Sequence, residues 1–350
     1  MGKRLLLITP RFYGIDEKII ERLEVLGFDV EWFENRNLIF DYHGTKSKLK
    51  FIRRIYSLLF SPQKRNIKNE LRKIENLKFD ILFAINGHAI CSYLFRRLKR
   101  INSEIYSVLY LWDSFNMYSW NKEIKYFDKV YTFDHSDSKM YGIEYKPNFH
   151  IKNANNYKDN KYDVFFVGKF SQFRLKQIDI ILYQLKESSL KYFVKLWPAY
   201  SVILHNRLIY KALKTKNLNQ IWINNYIANF EAVEGLLNRD FILKNSLSYE
   251  EVYDKMLSSN VVLDLPFQEQ QGFSHGLIQA LANGKKVITT NQKIKEEVFF
   301  NHVQIQILND KNPEIDFDWI KRESNFPTHK YFLNLELTEW LKSILNVELG

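Results

Sequence analysis

The sequence predicts an α/β protein made of two doubly wound parallel sheets, and three observations carry that expectation. Short apolar runs alternate with helical patterns from the first residues onward. The rhythm breaks at a polar, Asn-rich stretch, residues 146–161, and restarts at YDVFFVGK from Tyr162. The chain has 350 residues, long for one compact domain and comfortable for two of roughly 150–180 each. The expected organisation is a first domain over 1–148, a linker over 149–161, a second domain over 162–330, and a closing helix within 331–350 that returns to the first domain.

The opening reads as a βαβ unit. Lys3 to Ile8 is a short apolar strand, Thr9 to Gly14 a loop, Ile15 to Leu26 an amphipathic helix and Phe28 to Phe33 a second strand after the C-cap candidate Gly27. Further strands are expected at Asp80–Ile85, Ile105–Leu111 and Lys129–Phe133, followed by the loops Asn86-Gly87-His88, Trp112-Asp113-Ser114 and Asp134-His135. In the second half the expected strands are Tyr162–Val167, Tyr192–Leu196, Asp240–Leu243, Val261–Leu265 and Lys286–Thr290. The helices fall near Leu175–Glu187, 200–217, Ser248–Met256, Ser274–Ala282 and Leu335–Leu345. Ligands of doubly wound sheets bind beyond the C-terminal ends of the strands, so those loops are where the chemistry belongs.

Composition narrows the class. A hydrophobic fraction of 46% and a charged fraction of 26% are ordinary for a folded protein. The net charge of +11 implies polyanionic company: nucleic acid, an anionic membrane surface or phosphorylated small molecules. The single Cys91 forms no internal disulfide and fits a reducing compartment. The N-terminal apolar run is too short for a signal peptide, and no run approaches the roughly 18 apolar residues of a membrane span, so a cytoplasmic location is expected. No nucleic-acid-binding signature stands out. The Gly-Lys pairs at 168 and 284 lack Walker spacing, and no G-x-G-x-x-G follows the first strand. The basic, apolar-interleaved stretch 46–73 reads either as a contact with an anionic membrane surface or as an ordinary solvated helix face.

The segment most suggestive of chemistry begins at Gly272: GFSHGLIQALANGKKVITTN. Pro266 ends a strand, Gly272 permits an unusual backbone angle, and Ser274 is a good N-cap for the next helix. The N–H groups that open such a helix hold an anion without a charged side chain, and a nucleotide diphosphate is the natural guest. An ordinary well-capped βαβ unit reads the same way.

This segment, with YDVFFVGK, FVKLWP, DFILKNSLSYEEVYDKM and SSNVVLDLP in the same order upstream, resembles the donor-binding half of GT-B glycosyltransferases, two Rossmann-like doubly wound domains facing a cleft. The pattern is most similar to that of bacterial enzymes of capsule and lipopolysaccharide assembly. The resemblance covers about 160–310 and the first half only in outline.

It implies a phosphate-facing loop at Gly168 and Lys169, with Arg174 as a second cation. It implies a base-facing loop from Lys244 to Leu247 that includes Asn245. Gln271, Gly272, Phe273, Ser274 and His275 would line the donor sugar and phosphates, and Gln279 would reach the ribose. Where the family often carries two Glu, this chain has Gln271 and Gln279, and Gly276 stands where the bacterial pattern has Arg. Basic residues and helix ends stabilise the leaving group in this family, so no metal and no cofactor are expected.

For a base on the acceptor hydroxyl, the candidates are Asp113, which closes the apolar run VLYLWDS and also reads as a turn cap, and His88. Arg11, in the first strand-end loop, is the candidate acceptor or phosphate contact. The expected activity is transfer of a sugar from a nucleotide-sugar donor to a bacterial surface glycan or lipid-linked acceptor. A non-hydrolysing nucleotide-sugar epimerase and a non-catalytic glycan- or partner-binding protein are the rivals on the same fold.

Overall fold

The computed structural model describes residues 2–34, 69, 72–74, 77–86, 92–117, 120–121, 123–152, 160–197, 231, 234–236, 238–268, 270–322 and 326–346. His88, the helix expected at 200–217 and nearly all of the basic stretch 46–73 lie outside these residues.

The first sheet has six parallel strands: β1 (Arg4–Thr9), β2 (Asp29–Glu34), β3 (Ile81–Ile85), β4 (Tyr106–Leu111), β5 (Lys129–Thr132) and the two-residue β6 (Glu144–Tyr145). Their order is β2-β1-β3-β4-β5-β6. Helices α1 (Ile15–Val25), α2 (Ser92–Ile101) and α3 (His135–Tyr141) connect them. The central strands are apolar on both faces, and Leu5, Leu6, Leu7 and Ile8 are fully buried, as a covered parallel sheet requires.

The second sheet, in the order β11-β10-β9-β7-β8, is built from β7 (Tyr162–Lys169), β8 (Tyr192–Trp197), β9 (Ser259–Asp264), β10 (Lys286–Thr289) and β11 (Ile305–Ile307). Helices α4 (Gln172–Lys186), α5 (Tyr249–Leu257), α6 (His275–Ala282), α7 (Phe317–Lys321) and α8 (Leu337–Leu345) lie in the second half of the chain. Two differences from expectation bear on the site. Gly168 and Lys169 extend β7 rather than leave it, pairing with Leu196 and Trp197 of β8. Residues expected as a strand at 240–243 make only an isolated bridge, Ile242 to Leu196.

The chain order reverses between β1 and β3 in the first sheet and between β7 and β9 in the second. Each such switch point opens a crevice at the strands' C-terminal ends. The apolar packing explains how the two halves meet. The outer face of each sheet has its own cluster, around Leu82 and Leu98 in one and Ile178 and Leu263 in the other. The inner faces share a third, running from Leu7 and Tyr110 through Phe149 and Ile151 to Phe165, α6 and α8. Trp340 of α8 lies with its ring centroid 4.8 Å from those of Tyr110 and Phe149, and its indole N–H donates to the Pro147 carbonyl at 2.8 Å. The C-terminal helix is thereby seated on the first sheet. Among the described residues no helix is long and apolar enough to cross a membrane.

Candidate functional site

Helix α6 begins where β9 ends and the chain turns through Pro266 and Gly272. Ser274 caps it: its hydroxyl accepts the Leu277 N–H at 3.0 Å and donates to Asp264 Oδ1 at 2.6 Å. The other oxygen of Asp264 accepts the Thr289 hydroxyl at 2.7 Å, so one buried carboxylate ties together the helix start, β9 and β10. Burial pushes the Asp264 carboxyl up, opposed by those two hydroxyl bonds and by Arg174. His275 and Gly276 follow as the first helical residues, and their main-chain N–H groups point out of the helix start.

His275 lies between aromatic rings, with centroids 5.0 Å from Phe149 and 6.1 Å from Trp112, and its Nε2 is buried without a partner. Burial, and after it the neighbouring His150, push its pKa down to about 4. It is therefore neutral near pH 7, and any anion at this helix end is held by backbone dipoles rather than by imidazolium.

Arg174 and Lys169 stand in different surroundings. Arg174 is buried; its Nε donates to the Leu265 carbonyl at 2.5 Å, its Nη1 to the Lys169 carbonyl at 2.9 Å, and its guanidinium covers the Phe267 ring at 3.9 Å. It staples the loops after β7 and β9, the two sides of the switch point. Burial lowers its pKa to about 10, so it stays charged. Arg174 is thus engaged with the backbone of both loops, and Lys169 is half-buried at the end of β7. Asn245 is exposed. Gly168 packs tightly on Phe166, where an added Cβ would approach the ring to 2.5 Å.

The loop entering α6 is held by the first sheet. Asp134, N-cap of α3, uses Oδ1 for the Ser136 N–H at 2.9 Å and Oδ2 for the main-chain N–H groups of Gln271 and Gly272 at 3.1 and 3.2 Å. The Ser136 hydroxyl donates to the Gln271 side chain at 2.6 Å, and Asn148 donates to the Phe273 carbonyl at 2.8 Å. Gly272 fits because it lacks a side chain: a Cβ would lie 2.7 Å from the Phe133 ring and carbonyl.

Gln279, expected at the ribose, has another task. Its side chain is 3% exposed; its Oε1 accepts the Ile151 N–H at 2.8 Å and its Nε2 donates to the Ile151 carbonyl at 2.9 Å. A Gln can do both and a carboxylate cannot, which is a physical reason for the amide at this position.

Across from the helix start stands Asp113, at the C-terminal end of β4. Asn86 donates to its Oδ2 at 2.7 Å and accepts the Trp112 N–H at 2.7 Å, while Gln270 from the second half donates to its Oδ1 at 3.3 Å. Asn86 sits at φ 48, a left-handed conformation that Asn tolerates better than most residues. Arg11 is exposed, 3.8 Å from Glu34 and over the Trp32 ring at 5.3 Å, at the outer side of the first switch point. The structure thus gathers Asp113, the 270–275 segment and Trp112 at one junction; Lys169 and Arg174 border the second crevice, and Gln279 lies in the core of the junction. Asn86 and Asp134 fall in strand-end loops expected from the sequence, but their contacts, and those of Gln270, are not legible there. The Asn-Gly pair after β3 and the Asp-x-Ser-Asp cap before α3 were the available signals.

No protein-family model and no curated protein sequence matches the chain. Solved structures do. An α-glucosyltransferase in complex with UDP and a 13-mer DNA containing a central A:G mismatch aligns over 98% of this chain and 94% of its own, at 14% identity and a TM-score of 0.51. The UDP-GlcNAc 2-epimerase of Methanocaldococcus jannaschii, solved with UDP-GlcNAc and UDP, aligns over 98% and 99% at 12% identity and a TM-score of 0.47. Likeness at such low identity speaks to architecture alone, and the architecture is that of GT-B: two Rossmann-like doubly wound domains facing a cleft.

Proposed function

We propose that the chain transfers a sugar from a nucleotide-sugar donor to a bacterial surface glycan or glycolipid, as in capsule or lipopolysaccharide assembly. The observation that carries the reading is the junction just described: a capped helix start on one side, a positioned carboxylate on the other, joined by Gln270 to Asp113 at 3.3 Å. In this reading the donor diphosphate sits against the N–H groups of His275 and Gly276, with Lys169 at the crevice edge. Asp113, oriented by Asn86, takes the proton of the acceptor hydroxyl as its oxygen bonds to the anomeric carbon and the diphosphate leaves with the bonding electrons. Trp112 and Phe149 enclose the His275 ring on the inner side of the helix start, while Gly276 stays open to solvent, where a ligand can reach its N–H. The net charge of +11 suits a lipid-linked acceptor at the inner face of the cytoplasmic membrane.

Titration calorimetry with nucleoside diphosphates and their sugars tests this. One nucleotide should bind, and Lys169→Ala should weaken it by roughly tenfold, about 1.4 kcal/mol. If no nucleotide in the panel binds, the reading fails. If binding is unchanged in the variant, Lys169 is not part of the site.

A further inference from the structure

Beside Asp113 a row of aromatic rings runs on from Trp112 to residues that the donor reading does not use. The loop after β1 presents Phe12 and Tyr13, 40% and 39% exposed. They are not loose. The Phe12 N–H donates to buried Asp16 at 2.9 Å, Ile15 N–H closes a turn on the Phe12 carbonyl, and the Tyr13 carbonyl accepts the Tyr249 N–H across the cleft at 2.9 Å. Tyr13 has φ 55, and Gly14 after it φ 90. A bulky residue in the left-handed region stores strain, and such strain persists where the surroundings fix it, often at ligand sites.

The rings run in sequence across the cleft mouth. Trp112 lies 5.1 Å from Phe12, Phe12 5.3 Å from Tyr13, and Tyr13 5.2 Å edge-on from Trp197 of the second sheet. The polar groups of Asp113, Asn86 and Gln270 begin one residue beyond Trp112. An apolar floor with a hydrogen-bonding rim complements one class of small molecule closely. A pyranose ring offers an apolar face of C–H bonds and an equator of hydroxyls.

We infer that Phe12 and Tyr13 form a pyranose-stacking subsite, the place where the sugar of the acceptor lies with a hydroxyl toward Asp113. The inference rests on the proposed transfer for the acceptor's role; the stacking itself does not depend on it. Trp197 closes the far side, so the subsite is complete only while the Tyr13–Tyr249 contact holds the two halves together.

The test uses the full chain and methyl glycosides of the common hexopyranoses at millimolar concentration, read by saturation-transfer NMR, with UDP binding measured in parallel. Saturation should reach the ring C–H protons of at least one glycoside. Phe12→Ala and Tyr13→Ala should lower that signal at least roughly fivefold with UDP affinity unchanged. Phe12→Leu keeps the apolar volume and removes the π face, and should lose most of the signal while melting like the wild type. No saturation of any glycoside, or glycoside signals that survive both alanine variants, overturns the inference. So does weaker UDP binding in Phe12→Ala, because the rings would then serve a nucleobase. Glycoside binding in a protein that binds no nucleotide leaves the subsite standing and removes the transferase reading instead.

Discussion

Asp134 Oδ2 accepts the main-chain N–H of Gly272 at 3.2 Å, so a carboxylate capping α3 in the first sheet also fixes the loop that leads into α6 of the second. One side chain thereby couples a local cap to the geometry between the halves. Its neighbours reinforce the tie: His135 Nε2 stands 2.9 Å from Glu297 Oε1, and its ring stacks on Tyr145 at 3.5 Å.

Removing that carboxylate should therefore cost more than an ordinary cap. Asp134→Ala leaves the α3 N–H groups and the Gln271 and Gly272 N–H groups without their acceptor, and is expected to destabilise the protein by about 2–4 kcal/mol. Asp134→Asn retains one acceptor oxygen and should lose less. Urea unfolding of the three proteins measures the order.

At Gly272 the obstacle is space. Because the Phe133 carbonyl as well as its ring occupies the position of a Cβ, Gly272→Ala must displace the loop, at about 1–3 kcal/mol. Nucleotide affinity should fall with stability, since the loop carries the start of α6. Calorimetry on a variant that still folds at 10 °C would show it.

Gln279 offers a sharper chemical contrast. Gln279→Glu restores the residue type common in related patterns, yet places a carboxylate 2.9 Å from the Ile151 carbonyl with no proton to donate. It should destabilise by about 2–4 kcal/mol at neutral pH and recover part of that loss in acid as the carboxyl protonates. A thermal melt from pH 5 to pH 8 reads both.

Asp137 sets a pH dependence of known sign. Burial, and to a smaller degree Asp134, raise its pKa to about 6, against the Phe115 N–H bond at 2.8 Å that lowers it. The folded protein therefore takes up this proton before the unfolded chain does. Ionisation of Asp137 costs stability, fully so above about pH 6, and the cost fades as pH falls toward 4. Asp137→Asn should melt about 2–4 °C above the wild type at pH 7.5, with the gap closing near pH 4. A gap that widens in acid would reverse the assignment.

The strands and the α6 cap were legible in the sequence because each depends on neighbours within a few residues. VVLDLP reads as a buried strand and Ser274 as a cap from local pattern alone. Helix α3 and strand β6 were not, since HSDSKMY carries little apolar periodicity and a two-residue strand has none. The contacts that define the site were hidden for another reason. Asp134 and Gly272 lie 138 residues apart, Gln270 and Asp113 157, and only the docking of the two halves makes them neighbours. The same docking turns Gln279 toward the linker. Within the second half, Lys286 of β10 donates to the carbonyls of Trp319 and Ile320 at 2.6 and 3.5 Å, at the end of α7, a contact equally distant in sequence from any local pattern.

Release of nucleoside diphosphate from a panel of nucleotide sugars by the full chain, with and without Asp113→Asn, decides whether Asp113 serves a transfer reaction. The expected result is slow turnover of one donor, a drop of about 10²–10⁴-fold in the variant, and an unchanged nucleotide Kd. Turnover of none of the donors would rule out the transfer, and wild-type turnover by Asp113→Asn would rule out Asp113 as its base.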